Sequence, residues 1–107
     1  MNLIQLAAAI ITVESNGNDF AVGDGGRAIG AFQIHAGVVA DVNRVYGTHY
    51  THRGMTNRTD AHVVFQRYLS IYANGKPMEY CARVWNGGPK GPNKQATEKY
   101  WNKVKSQ

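Results

Sequence analysis

Apolar residues at the start of the chain fall three and four apart: Leu3, Leu6, Ala7, Ile10 and Ile11, with Glu14 continuing the stripe. This period predicts a helix over residues 2–15, opened by Asn2 as a cap and closed by Ser15-Asn16-Gly17. The pattern then breaks. Gly23, Gly25, Gly26 and Gly30 are too dense for a helix, and Phe20–Val22 and Ala28–Ile29 can pair across Gly23-Asp24-Gly25-Gly26, which predicts a small irregular hairpin at about residues 20–32.

Helical spacing returns from about Gln33, with Val38, Val42 and Val45 on one stripe, Gly47 as the end signal and the first helix as the expected packing partner. Residues 48–56 have no regular pattern. The clearest helix runs from about Asn57 to Ala73, with Ala61, Val64, Phe65, Tyr68, Leu69 and Tyr72 on one face and Asn74-Gly75 beyond it. Pro77 opens a shorter helix carrying Cys81, Val84 and Trp85, and Gly87 to Asn93 must be a loop. A last helix runs from about Gln95 to Val104 and carries Ala96, Tyr100 and Trp101. The expected fold is therefore mainly α, a helical bundle with one small β-hairpin, in a single domain spanning 1–107.

Composition narrows this picture slightly. Of 107 residues, 43% are hydrophobic, enough for a modest core and against disorder. A net charge of +5 suits an anionic partner: nucleic acid, a membrane surface or a bacterial wall. No nucleic-acid-binding motif is present, so nucleic acid is not the expected partner. The apolar run Leu3–Val13 lacks the basic lead and cleavage site of a signal peptide and is too short to span a bilayer, so stable membrane insertion is not expected. Cys81 is alone and sits in an apolar helical stretch, a place for a core side chain rather than a nucleophile. His49 and His52 sit three apart in a loop and, with His35 and His62, could bind a metal only if the fold converged them; Cys81 adds no partner at metal-site spacing, so surface histidines and no metal or cofactor are expected. Lys90, Lys94, Lys99, Lys103 and Lys105 gather near the C-terminus as a solvated face, or as an attraction for an anionic polymer.

The chemistry centres on Glu14. A carboxyl in the last turn of a helix meets the negative end of the helix dipole, and apolar neighbours withhold water; both favour the protonated form. Such a group can act as a general acid near neutral pH, whereas a glutamate that merely ends a helix stays solvated and ionised.

Three motifs follow one another: Glu14-Ser15-Asn16-Gly17, Gly30-Ala31-Phe32-Gln33-Ile34 and Ala82-Arg83-Val84-Trp85-Asn86-Gly87-Gly88. In order and spacing they resemble the lysozyme-like superfamily, most closely the soluble lytic transglycosylase domain. The ending Tyr100-Trp101-Asn102-Lys103-Val104 resembles that family's closing helix. The resemblance implies an α+β lysozyme-like fold and an enzyme that cleaves the β-1,4 bond between N-acetylmuramic acid and N-acetylglucosamine. It makes Glu14 the catalytic acid and Ser15, Phe32, Gln33, Trp85, Asn86 and Tyr100 the substrate-binding set. It also implies peptidoglycan glycan strands as the partner, a monomer, and action at the bacterial cell wall, in the periplasm, outside the cell or in a phage particle.

The chain departs from the transglycosylase pattern where Asp24 stands at a serine position, His35-Ala36 replaces Met-Pro, and Trp85 replaces Tyr. Asp24 bears on the reaction type. A second carboxylate can position water for hydrolysis, as in the phage-type and invertebrate-type lysozymes that this Glu-then-Asp arrangement resembles. An aspartate before Gly-Gly is equally a turn residue. Hydrolysis with Glu14 and Asp24 is thus the leading expectation. Lytic transglycosylation by Glu14 alone, giving 1,6-anhydromuramic products, is the second, and a catalytically silent wall-binding or phage-structural module the third.

Overall fold

The computed structural model describes residues 1–107. The first helix, α1, spans Leu3–Ser15. Its start is a reciprocal cap: the Asn2 side chain accepts the Gln5 N–H at 2.9 Å, and the Gln5 side chain accepts the Asn2 N–H at 2.9 Å. Asn16 ends it in the left-handed region, at φ 52°, with its N–H on the Thr12 carbonyl. Leu6, Ala7, Ile10 and Ile11 are buried, as the stripe required.

The hairpin is narrower than its sequence suggested. Strand β1 is Val22–Gly23 and β2 is Ala28–Ile29, antiparallel, with Val22 opposite Ile29 and Gly23 opposite Ala28. Phe20 stays outside the ladder because Asn18 forms a turn of its own, its side chain accepting the Phe20 N–H and its carbonyl the Ala21 N–H. Asp24–Gly26 makes a single 3-10 turn between the strands. Ile29 also exchanges backbone hydrogen bonds with Ile34, closing Gly30–Gln33 into a tight loop.

Helix α2, Ala36–Tyr46, begins three residues later than expected, since Gln33 is held left-handed at φ 54° and His35 is extended. Its buried face also differs from the expected stripe of Val38, Val42 and Val45. Val39 and Val42 go inward, while Val45 is 49% exposed. The expectation that α2 packs mainly on α1 is corrected: its main neighbour is α3, Arg58–Tyr72, and α1 lies against the last two helices. Between α2 and α3, Asn43 organises the patternless segment, with its side chain bonding Tyr50 through both N–H and C=O and accepting the Thr48 hydroxyl. A 3-10 turn over Arg53–Thr56 then drops Met55 into the core.

Helix α3 starts on an Asn57 cap that accepts the Asp60 N–H at 3.0 Å, and it buries Ala61, Val64, Phe65, Tyr68 and Leu69. Helix α4, Met78–Gly87, follows Pro77, and α5, Ala96–Lys105, closes the chain. Arg83 joins them: its guanidinium donates to the Thr97 hydroxyl at 2.8 Å and the Lys94 carbonyl at 3.1 Å and pairs with Glu79. The intervening Gly91 lies so close to the Arg83 carbonyl that a Cβ there would overlap it.

All five helices and the hairpin close on one cluster of 22 buried residues, Cys81 among them. Its centre is aromatic. Phe32 stacks on Phe65 with ring centroids 4.6 Å apart, and Phe65 meets Trp85 edge-on at 4.8 Å. Burying each such ring contributes about 1.5–3 kcal/mol, so the Gly30–Gln33 loop is anchored through Phe32 as firmly as a helix face. The observed fold is mainly α with one small hairpin. No helix is long and apolar enough to cross a membrane.

Candidate functional site

A cleft of about 600 Å³ opens between the hairpin, the start of α2 and the end of α4. Five of the residues singled out from the sequence line it: Glu14, Asp24, Gln33, Trp85 and Asn86. The other three do not reach it. Ser15 turns away and donates its hydroxyl to the Ala31 carbonyl at 2.8 Å, pinning the loop after β2 to the end of α1. Phe32 is fully buried beneath the cleft. Tyr100 is 8% exposed and stands behind Glu14.

Glu14 is placed by α1's last turn and by Tyr100 of α5, whose hydroxyl donates to Glu14 Oε2 at 2.9 Å. Burial pushes the Glu14 carboxyl above the ordinary glutamate range, and the Tyr100 hydrogen bond only partly offsets this. Tyr100 itself is driven strongly upward by burial, by the nearby Glu14 charge and by its bond to that carboxyl. None of the chain's ion pairs involves Glu14.

The other two cleft carboxylates are differently held. Asp24, left-handed at φ 51°, has one oxygen 3.0 Å from the Arg27 guanidinium and the other 3.4 Å from His35 Nε2. Asp41 was not visible as a site residue in the sequence, because α2 looked like an ordinary core helix. It accepts the Tyr72 hydroxyl at 2.7 Å and pairs with Arg44. Tyr68, also missed, lines the cleft from α3; burial first, then Tyr72 and Asp41, push its hydroxyl up to about 12. Tyr68 reads in the sequence as one more core aromatic on the buried face of α3.

Gln33 both lines the cleft and braces it, its amide donating to the Ala21 carbonyl at 3.2 Å and the Gly30 carbonyl at 3.0 Å. Two non-glycine residues in the left-handed region, Asp24 and Gln33, thus face one cavity, a conformation that costs about 1–3 kcal/mol each and needs surrounding structure to hold it. The histidines do not join carboxylates or Cys81 in groups of three that could hold a metal ion. Chemically the cleft offers one carboxyl that burial favours in its protonated, donating form, two carboxylates already matched by cations, and the aromatic edges of Trp85 and Tyr68.

Comparison with known proteins adds a likeness to a solved structure. The chain is similar to a chain of the crystal structure of Aeromonas hydrophila PliI in complex with Meretrix lusoria lysozyme, with a TM-score of 0.81 and 28% sequence identity over 95% of this chain and 87% of that one. No family model matches, and no curated protein matches.

These findings correct the expectations built on the resemblance. Membership of the lysozyme-like superfamily, as a soluble lytic transglycosylase or phage-type lysozyme, is not upheld: no family model carries it, and the matched structure is a two-protein complex. The peptidoglycan glycosidase reading rested on that membership and is withdrawn with it, including the general-acid role of Glu14, the water-assisting role of Asp24 and the transglycosylase alternative. What the matched structure records is one protein bound to another. The expected partner, peptidoglycan glycan strands, is not what the matched structure holds; it holds PliI and a lysozyme, a protein of the same peptidoglycan setting.

Proposed function

We propose that this chain works as a protein-binding partner, one member of a two-protein complex of the lysozyme–PliI kind, with the cleft around Glu14 as its contact face. The observation that carries the reading is the likeness, over 95% of the chain, to one protein of such a complex. The cleft is consistent with it: an open concavity of about 600 Å³, with Trp85 and Tyr68 among polar groups, has the aromatic-and-polar makeup of a site that receives a projecting protein segment.

The test offers the purified chain to each protein of the matched complex separately, Meretrix lusoria lysozyme first and Aeromonas hydrophila PliI second, by calorimetry and gel filtration. A stoichiometric complex with either one supports the reading. Binding to lysozyme gives this chain the place of PliI in the pair; binding to PliI gives it the place of lysozyme. Failure to bind either overturns it. A turbidity assay on purified bacterial walls runs alongside, and lysis that Glu14→Gln abolishes would overturn a purely binding role.

A further inference from the structure

We infer that the exposed lysines near the C-terminus form a second binding surface, separate from the cleft, for a linear phosphodiester polymer without bases.

Residues 84–107 carry five lysines, Lys90, Lys94, Lys99, Lys103 and Lys105, and a single acid, Glu98. All five lysines are exposed. None enters an ion pair and none lines the cleft, whereas Glu98 faces Arg83 of α4 at 3.8 Å. The scaffold that carries them is held firmly. Gly91 packs on the Arg83 carbonyl, the Lys94 carbonyl accepts from Arg83 and from the Thr97 hydroxyl, and Thr97, Tyr100 and Val104 bury the inner face of α5. Lys99 and Lys103 stand one turn apart on α5, with about 5–6 Å between their Cβ atoms.

Fold stability accounts for only part of this arrangement. Lys103 and Lys105 complement the negative end of the α5 dipole, and the Lys94 ammonium donates to the Gly87 carbonyl at 2.9 Å, at the end of α4. Lys90 and Lys99 have no such role. Lys90 lies on the loop before α5 and Lys99 in its first turn, at the positive end of the dipole, and Lys99 has a like charge one turn away at Lys103. These charges repel one another in the free chain, and an anion from outside compensates them.

The side chains indicate which anion. Every contact is a lysine ammonium, a hydrated point charge that meets phosphate without the fixed fork of arginine, so the surface suits single charges repeated along a flexible chain. Bases need aromatic faces on which to stack, and the large apolar side chains left exposed, such as Ile4, Phe20 and Val22, all lie outside residues 84–107.

The experiment titrates the chain against end-labelled poly(glycerol phosphate), followed by fluorescence anisotropy over a range of NaCl concentrations. Binding is expected at low salt, with affinity falling on a log–log slope of about 0.7 per lysine engaged, as for flexible single strands. Lys99→Gln combined with Lys103→Gln is expected to weaken binding severalfold and to flatten the slope by about 0.7 for each of the two. Lys90→Gln is expected to act in the same direction. Arg53→Gln removes an exposed, unpaired charge from the turn before α3 and is expected to change binding little. Circular dichroism checks that each variant is folded. Absence of salt-dependent binding overturns the inference, and so does a loss from Arg53→Gln equal to that from Lys99→Gln, which would make net charge the whole cause. Tighter binding of oligothymidylate or of polyglutamate than of poly(glycerol phosphate) also overturns it, giving the surface to nucleic acid or to a carboxylate polymer. The protein-binding reading of the cleft stands or falls separately.

Discussion

Tyr100 and Glu14, 86 residues apart in sequence, are joined by a 2.9 Å hydrogen bond in which the phenol donates to the carboxyl. The bond ties the last helix to the first at the wall of the cleft. It also opposes burial, because the phenol stabilises the ionised form of a carboxyl that loss of water pushes toward the neutral one.

Tyr100→Phe keeps the ring in its buried site and removes only the donor. The Glu14 carboxyl is then expected to titrate at a higher pH than in wild type, since the one contribution favouring its charge is gone. Loss of the hydrogen bond is expected to cost about 0.5–1.5 kcal/mol of stability. Carboxyl ¹³C titration and urea unfolding check the two effects. A Glu14 titration that moves down in the variant would show that Tyr100 is not stabilising the carboxylate.

The sign of the Glu14 shift fixes a pH dependence. Its folded-state pKa lies above the unfolded value, so between the two the native state binds more protons than the unfolded one. The stability contribution is full below the unfolded value and is lost as pH rises through the folded one. Glu14→Gln removes this dependence while matching the acid in shape. The variant is therefore expected to be more stable than wild type at pH 7, and the difference is expected to shrink toward acid. Thermal unfolding of both proteins across pH checks it; a gap that widens toward acid contradicts the sign.

Much of the helical framework could be read from spacing, because each helix carries its own stripe and its own stop: Asn16-Gly17 for α1, Gly47 for α2, Asn74-Gly75 for α3. The cleft was legible where local motifs converge on it, as at Glu14, Gln33 and Trp85-Asn86. It was not legible where a side chain's direction depends on another element. Phe32 sits beside Gln33 in one motif, yet the left-handed turn at Gln33 sends one side chain into the core and the other to the cleft. Asp41 and Tyr68 were hidden for the same reason, since their helices show only that they have a buried face. Function was the least legible part. The motifs placed a carboxyl in a cleft, but what meets that cleft is a property of the partner.

Gly30 offers a test of the loop geometry. It is left-handed at φ 84°, and a Cβ there would overlap the Met55 carbonyl oxygen, which is backbone and belongs to the one buried residue of the 3-10 turn. Gly30→Ala is therefore expected to cost about 3 kcal/mol or more, combining left-handed strain with displacement of the Arg53–Thr56 turn. Gly25→Ala, at φ 64° but with open space around it, is expected to cost only the strain, about 1–2 kcal/mol. Chemical unfolding of the pair separates steric closeness from conformation. Equal losses would mean that the approach to Met55 relaxes freely.

Asp24 tests how much of the hairpin depends on charge. Its ion pair with Arg27 lies at the surface, with side-chain exposures of 48% and 75%, so screening leaves it about 0–1 kcal/mol. Asp24→Asn keeps a residue that tolerates the left-handed conformation and is expected to change stability by no more than that. Asp24→Val places a branched side chain at φ 51° and is expected to be clearly worse. Unfolding midpoints for the two variants check the order; equal stability would remove backbone conformation as the reason for Asp24.

Gln33 separates bracing from strain at a single position. Its amide holds the Ala21 and Gly30 carbonyls, and its backbone sits at φ 54°, which disfavours any residue with a Cβ by about 1–2 kcal/mol. Gln33→Ala loses both hydrogen bonds and keeps the strain, so it is expected to cost about 1–3 kcal/mol. Gln33→Gly loses the same bonds and relieves the strain, at some cost in unfolded-chain entropy. Glycine is thus expected to be the milder substitution, reversing the usual order in which alanine is tolerated better. Urea unfolding of wild type and both variants reads the order directly. If alanine proves milder, the left-handed turn at Gln33 is not strained, and the two amide bonds alone account for the glutamine.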